Sequence, residues 1–391
     1  MGSPKHSTEW REPLRVGWIV TPLFKEGGTF THLRRWAEGF RGTSIRPTLF
    51  YFSPNPAFSR GFHLPGVEVM ALPALDLRGR RVDKAAIHLA RVARRAQIDL
   101  LHSIYIGSDL VGLIASRLSG IPIVSTVEGA LFVSTMSPGA RYGAQMAYRA
   151  LSRRFRVVMP VSHATGRELD GLLSSTVQRH VVYPGVPIER FRPPPSLLEG
   201  PRLAVLGRLA PIKGVPLLVE AVHRLIPRIP KMKVTLIGDG PDREPLRALI
   251  RSRGLGHVFE MTGWTDSSTV QHHLRHAHLL VLPSYSEGMP WAALEAMALG
   301  LPVVASRVGG LPELIVERNA ERCGWLFEAG ERRSLTALLA EILEAPDALA
   351  LLARVGRAAH ARVSSAFRAQ KEIAGLRTIY LREGMAGNAP R

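Results

Sequence analysis

One cysteine, Cys323, stands in a chain of 391 residues, so neither a disulfide framework nor a thiolate metal cluster can be built. No apolar run approaches the roughly 18 residues a membrane-spanning helix needs. Met1 to Trp10 lack the apolar stretch of a secretory signal, and Met1-Gly2-Ser3-Pro4-Lys5-His6 lacks the hydroxyl residue of a myristoylation signal. These absences lead us to expect a cytoplasmic protein with at most a peripheral hold on the inner face of a membrane. Asp-x-Asp occurs nowhere, so metal-assisted handling of a diphosphate is not expected and no metal or cofactor is called for. No Gly-x-Gly-x-x-Gly follows the first apolar strand, Val16–Val20, which disfavours a nicotinamide dehydrogenase. Helix-turn-helix, RRM and zinc-finger patterns are missing too, and with them any reason to expect a nucleic-acid partner.

What is present is ordinary in bulk and unusual in charge. With 46% apolar and 21% charged residues the chain reads as globular, with two or three domains. Its net charge is +19, and only seven of its 51 basic residues are lysines. Residues 1–195 carry 26 basic and 13 acidic side chains, and residues 196–391 carry 25 and 19. A GC-rich coding sequence produces an arginine excess by itself. The functional alternative is an anionic partner for the first half, either an acidic lipid or a phosphate-bearing acceptor.

Short β-rich apolar runs alternate with helical patterns, which predicts an α/β protein with parallel sheets. Strands are expected at Arg15–Val20, Thr48–Phe52, Val67–Leu72, Leu100–Ser103, Ile121–Val127, Val157–Val161 and His180–Tyr183. The proline run Pro193-Pro194-Pro195 reads as a stiff linker, after which the pattern restarts at Leu203–Leu206. Two Rossmann-like domains facing a central cleft follow: residues 1–195 and residues 196–368, the first completed by a C-terminal helix about 369–391.

Two strings carry the chemistry. In Pro283 to Ser306 a strand, a glycine turn and a helix place Glu287 on the turn and Glu295 eight residues on, with Gly288, Met289 and Pro290 between. Pro290 suits the first helical turn, and Gly300 with Pro302 ends the helix. Backbone N–H groups at such a helix start attract phosphate and sugar oxygens, and the carboxylates can accept hydrogen bonds from vicinal hydroxyls. Either glutamate alone is more readily an ordinary surface acid. The second string, Gly207-Arg208-Leu209-Ala210-Pro211-Ile212-Lys213-Gly214, joins a planar fork to a point charge, a pair suited to a diphosphate. Gly238-Asp239-Gly240 and Thr262-Gly263-Trp264 add two weaker loops.

Together these strings resemble the retaining glycosyltransferases of family four (glycosyl transferases group 1), which have the GT-B fold. The G-R-L-x-x-x-K-G loop and the two glutamates separated by seven residues carry the resemblance. Gly27-Gly28, Val161-Ser162 and Val308-Gly309-Gly310-Leu311-Pro312-Glu313 extend it. The resemblance implies that Arg208 and Lys213 grip the diphosphate of a nucleotide-sugar without metal. It implies that Glu287 holds the sugar hydroxyls beside Gly207, Gly238 and the Gly288–Pro290 backbone. Glu295 would take the ribose, Gly263 and Trp264 the base, and Gly27 and Gly28 the donor phosphate.

Two departures stand out. Where many relatives place a histidine after Ile121–Val127, this chain has Glu128, a candidate catalytic carboxylate; His102 and His163 are the nearest imidazoles and suit structural positions. Tyr183-Pro184-Gly185-Val186-Pro187 replaces a commoner Pro-Asn-Gly-Val-Asp. The resemblance also implies a glycan, lipid-linked or small-molecule acceptor in cell-envelope polysaccharide or glycolipid synthesis, bound by the first domain. Arg141–Met159 interleaves Tyr142, Met146, Tyr148, Leu151 and Phe155 with arginines, which predicts a basic amphipathic helix, with Arg141–Arg156 touching anionic membrane. The competing reading is a non-catalytic glycan- or nucleotide-sugar-binding protein; the presence of Arg208, Lys213, Glu287 and Glu295 together argues against it.

Overall fold

The computed structural model describes residues 13–20, 28–52, 63–72, 82–104, 106–129, 146, 148–191, 200–318 and 321–387. The chain divides into two compact units. Unit 1 comprises Met1–Pro160, Glu168–Val182 and Ile373–Arg391; unit 2 comprises Val161–Arg167 and Tyr183–Glu372.

Unit 1 holds a parallel sheet of β1 (Leu14–Val20), β2 (Ile45–Phe52), β3 (Glu68–Leu72), β4 (Leu100–Ile104), β5 (Ile123–Val127), β6 (Phe155–Pro160) and β7 (Gln178–Arg179). Their order is β3-β2-β1-β4-β5-β6-β7. The runs are apolar on both faces because helices cover both. In β6, Val157 packs with Trp18, Trp36 and Tyr380, while its neighbour Val158 packs with Leu89, Leu101 and Leu113 on the other face. The connecting helices are α1 (Gly28–Phe40), α2 (Val82–Arg95) and α3 (Ile106–Ser119).

Unit 2 repeats the plan. Its sheet is β8 (Arg202–Leu206), β9 (Lys233–Ile237), β10 (Phe259–Gly263), β11 (Leu279–Leu282), β12 (Val303–Ser306) and β13 (Gly324–Phe327), in the order β10-β9-β8-β11-β12-β13. The helices are α4 (His163–Glu168), α5 (Val215–Leu225), α6 (Arg243–Ser252), α7 (Ser267–Arg275), α8 (Trp291–Ala298), α9 (Leu311–Leu314), α10 (Arg332–Leu343), α11 (Ala348–Ala366) and α12 (Ala369–Gly387). From Ile373 onward α12 belongs to unit 1, where Tyr380 is fully buried. In both sheets the strand order reverses beside the first strand, at β1/β4 and at β8/β11. Loops leaving the carboxyl ends of those neighbours diverge and open a crevice, the usual ligand position in such sheets.

Three expectations need correction. Arg141–Met159 is not one helix: 148–152 is helical, a turn follows at 153–154, and β6 starts at Phe155. Tyr148 and Phe155 are buried, so the aromatic stripe supplies core rather than a membrane face. Residues 141–145 lie outside the described residues. The seventh strand is Gln178–Arg179, and its pairing with β6 continues only as isolated bonds from His180 N to Val158 O and from Val182 N to Pro160 O. Pro290 is the N-cap of α8, in extended conformation, and not a residue of its first turn.

Candidate active site

The two strings singled out in the sequence follow β8 and β11, the neighbours that flank the switch point of unit 2. Gly207–Gly214 leaves β8 and closes in a single 3-10 turn, Pro211–Lys213. The Tyr285 amide from the loop after β11 donates to Ile212 O at 2.8 Å, which ties the two loops together. Gly214 has φ +61°, and a Cβ there would overlap the carbonyl oxygen of Pro283. Only glycine permits that approach in that conformation.

The tie brings Lys213 and Glu287 together. Lys213 Nζ donates to Glu287 Oε1 at 2.7 Å, and Ser284 Oγ donates to the same oxygen at 2.6 Å. Glu287 is 8% exposed and Lys213 29%, so the pair is shielded on its carboxylate side and open on its ammonium side. The Glu287 turn is braced from below by the glycines after β12. Gly310 N donates to Gly288 O at 2.7 Å. Gly309 has φ +53°, with the Glu287 carbonyl oxygen where its Cβ would stand. Met289 is buried beneath the turn, and Glu295 lies half-buried on α8. Glu313 ends the brace by accepting from the His163 and Ala164 amides at 2.9 and 2.7 Å and from Tyr183 OH at 2.8 Å. Burial and that bond push the Tyr183 phenol well up. This bond is the work Tyr183 does where the sequence departs from the commoner linker.

Arg208 is exposed on the same loop, and no ion-pair partner for it is found among the described residues. Gly207 and Gly238 follow β8 and β9, and Gly263 ends β10, side by side: Gly207 N donates to Ile237 O and Gly238 N to Gly263 O. Asp239 accepts from Gly240 N and from Arg243 Nη1, both at 2.7 Å. Those bonds, the Gly240 amide first, hold its carboxyl below the usual range. Trp264, 52% exposed, follows directly and presents a flat apolar face to solvent. The arrangement offers two cations on one loop, one of them paired with a buried carboxylate, and, after β10 at the same edge of the sheet, a ring able to stack. Among the described residues no cluster of three or more His, Cys, Asp or Glu side chains could hold a metal ion.

The family model described as Glycosyl transferases group 1 matches residues 188–362, and the model described as Glycosyltransferase Family 4 matches residues 26–190. A D-inositol 3-phosphate glycosyltransferase of Streptomyces avermitilis is 30% identical over 91% of this chain and 85% of that protein. The MMP alpha-(1->4)-mannosyltransferase of Mycolicibacterium hassiacum is 30% identical over 70% of this chain and 69% of its own. The chain is a family-four glycosyltransferase. Sucrose-phosphate synthase from Thermosynechococcus elongatus shares its fold, with a TM-score of 0.83 at 20% identity, covering 95% of this chain and 100% of that one. Anabaena HepE in complex with UDP-glucose does so at 0.78 and 21%, covering 94% and 100%. The fold is GT-B, and relatives are named for cell-envelope and small-molecule glycosylation, among them the putative teichuronic acid biosynthesis glycosyltransferase TuaC of Bacillus subtilis.

In unit 1 of the transferase, Gly28 opens α1 and Gly27 lies outside the described residues. Glu128 follows β5 and is bonded to His32 Nδ1 on α1 at 2.7 Å. The histidine is nearly fully buried and stacks edge-on against Trp36, with ring centroids 4.4 Å apart. Sequence reasoning missed both His32 and Ser284. Spacing holds no signal for His32, 96 residues from its partner; sheet order alone brings α1 near the end of β5. His102 is structural: it bridges Tyr380 OH at 2.6 Å and Thr126 Oγ1 at 2.8 Å. Burial, then the charge of His32, lowers it to about 3.

Proposed function

We propose that this transferase moves a sugar, with retention of configuration, from a nucleotide-diphosphate sugar to a glycan, lipid-linked or small-molecule acceptor. We place it in cell-envelope polysaccharide or glycolipid synthesis, on the cytoplasmic side and without a metal. The observation that carries this reading is the Lys213–Glu287 pair, held at the switch point of unit 2 with Arg208 beside it. Arg208 and Lys213 take the diphosphate oxygens, and their charge stabilises the leaving group as its bond to the anomeric carbon breaks. Glu287 accepts from sugar hydroxyls while Ser284 holds its other face. Glu295 takes the ribose hydroxyls, and Trp264 with Gly263 takes the base. Gly207, Gly238 and the Gly288–Pro290 backbone let the donor approach closely.

The acceptor oxygen bonds to the anomeric carbon on the face the diphosphate vacates, and its proton passes to a diphosphate oxygen. Unit 1 binds the acceptor, with Glu128 orienting the attacking hydroxyl. The UDP and UDP-glucose seen with HepE support a nucleotide-sugar donor of this kind.

A thermal-shift screen of UDP-, GDP- and ADP-sugars against the free nucleotides tests the reading. One base series should raise the melting temperature of the wild type and fail to do so for Lys213→Ala. No stabilisation by any nucleotide-sugar, or equal stabilisation of Lys213→Ala, would overturn it.

A further inference from the structure

The expectation of an anionic surface at Arg141–Arg156 fails on its aromatic side, yet unit 1 carries a different face that joins exposed apolar side chains to cations. It lies on α2 and α3. Both helices cross over between parallel strands, from β3 to β4 and from β4 to β5, so they run in the same direction and pack side by side. Arg94 fixes their relative height: its Nε donates to Ser119 O at 3.1 Å and its Nη2 to Leu118 O at 2.6 Å. Ile87 lies seven residues before Arg94 on α2, and Leu110 eight before Leu118 on α3, so each stands about two turns back from that tie.

Ile87, Leu110 and Leu118 are 37%, 38% and 44% exposed, and Ile114 between the last two is half-buried. Leu110, Ile114 and Leu118 follow the i, i+4, i+8 spacing of one helix ridge. The row is long enough to place several apolar side chains in one plane, and scattered exposed leucines would not do that.

The flanks are basic. Lys84, Arg91, Arg94 and Arg95 on α2 and Arg117 on α3 are exposed, and Arg154 reaches Ser116 O from the turn before β6. Asp83 is the only exposed acid on either helix, because Asp109 is buried. Arg94 and Arg154 also satisfy carbonyls in the last turn of α3, where cations offset the helix dipole. That duty does not account for Lys84, Arg91, Arg95 or Arg117, nor for apolar side chains left in water between them.

We propose that the α2–α3 face of unit 1 docks on an anionic lipid surface, with Ile87, Leu110 and Leu118 entering the interface and the flanking cations reaching lipid phosphates. Charge decides the occupant. A second copy of the chain would set the same cations against each other. Nucleic acid would gain nothing from a bare aliphatic ridge. A bilayer surface with negative headgroups meets both halves of the pattern. The apolar area is small, so attachment is reversible and chiefly electrostatic. This inference does not depend on the donor roles given above, and its experiment measures no turnover.

Vesicles of phosphatidylcholine alone and with about a third phosphatidylglycerol serve as probes for co-sedimentation. The wild type should sediment with the anionic vesicles only, and less as salt rises. Each cation at such a surface contributes roughly a fivefold gain, so Arg91→Gln with Arg95→Gln should weaken binding about 25-fold. Arg332→Gln with Arg333→Gln, exposed on α10 of unit 2, removes equal charge and should leave binding within about twofold of wild type. Leu118→Cys, labelled with a polarity-sensitive dye in a chain whose other cysteine, Cys323, is buried, should shift to the blue on anionic vesicles. Four results would overturn the proposal. These are equal sedimentation with neutral vesicles, equal loss in the unit 2 control, no dye shift on bound protein, or an oligomer whose formation buries the dye without lipid.

Discussion

Lys213 Nζ and Ser284 Oγ converge on one oxygen, Oε1, of Glu287, from 2.7 and 2.6 Å. Both donors belong to loops at the ends of neighbouring strands, so the carboxylate is oriented before any substrate group reaches it. That cation and hydroxyl satisfy an oxygen that is otherwise shut off from water.

Removing the cation should therefore harm both activity and stability. Lys213→Met keeps most of the stem and deletes the charge. We expect turnover to fall by about 10²–10³-fold, the usual cost of one oriented charge-stabilising donor, and stability to fall by about 1–3 kcal/mol as Glu287 loses its partner. Glu287→Gln should cost similar activity with a smaller loss of stability, since an amide needs no cation. Initial rates with saturating donor, read beside urea denaturation, check both. Near-wild-type turnover in either variant would remove that residue from the mechanism.

The brace beneath the turn gives a second expectation. Gly309→Ala forces a Cβ onto the Glu287 carbonyl oxygen and places alanine at φ +53°. The turn must shift, at a cost of about 1–3 kcal/mol, and the carboxylate shifts with it. Turnover should drop at least tenfold although no side chain that meets substrate has changed. The melting temperature and the rate should fall together; a fall in the melting temperature alone would show that the turn tolerates displacement.

How much of this was legible beforehand depends on the distance over which the signal acts. Strands such as Val16–Val20 and Leu203–Leu206 were legible because burial on both faces of a parallel sheet writes a continuous apolar run. The strings at Gly207 and Glu287 were legible because each is local and bounded by glycine. The contact of Lys213 with Glu287, 74 residues apart, follows from the strand order β8–β11, which spacing does not encode. Arg141–Met159 misled because an aromatic stripe at helical spacing looks the same whether it faces core or lipid, and Tyr148 proves to face core by bonding Asp109. β13 went unread because Gly324–Phe327 opens on a glycine and holds only three apolar residues after it, with no β-branched residue to mark a strand.

Two buried groups in unit 1 should bend the stability curve with pH in opposite senses. His102 is held at about 3 against 6.5 for a free imidazole. As pH falls below about 6.5 the unfolded chain gains a proton there that the folded one refuses, and stability declines toward pH 3. Asp109 is raised by burial to about 6 from 3.8, despite donors on Ser103, Ser125 and Tyr148. Between about pH 4 and 6 the folded chain holds the extra proton, so this contribution is lost as pH rises. Asp109→Asn should abolish that loss and leave stability rising more steeply with pH than in the wild type. Denaturation midpoints at pH 4, 5, 6 and 7 for both proteins test it; parallel curves would contradict the assignment.

The His32–Glu128 bond in unit 1 separates positioning from chemistry. Glu128 is the carboxylate we assign to the acceptor hydroxyl, and His32 Nδ1 holds it at 2.7 Å from a nearly fully buried position against Trp36. His32→Gln keeps a donor of lesser reach and removes the ring, so Glu128 gains freedom. The KM for acceptor should rise about tenfold and kcat fall by less, with the KM for donor unchanged. Glu128→Gln should lower kcat as well, because the group facing the hydroxyl no longer accepts as a carboxylate. Loss of the ring contact costs about 1 kcal/mol by itself, so rates are compared at a temperature well below both melting transitions. An increase in donor KM equal to that for acceptor would assign the pair to donor binding and remove Glu128 from the acceptor side.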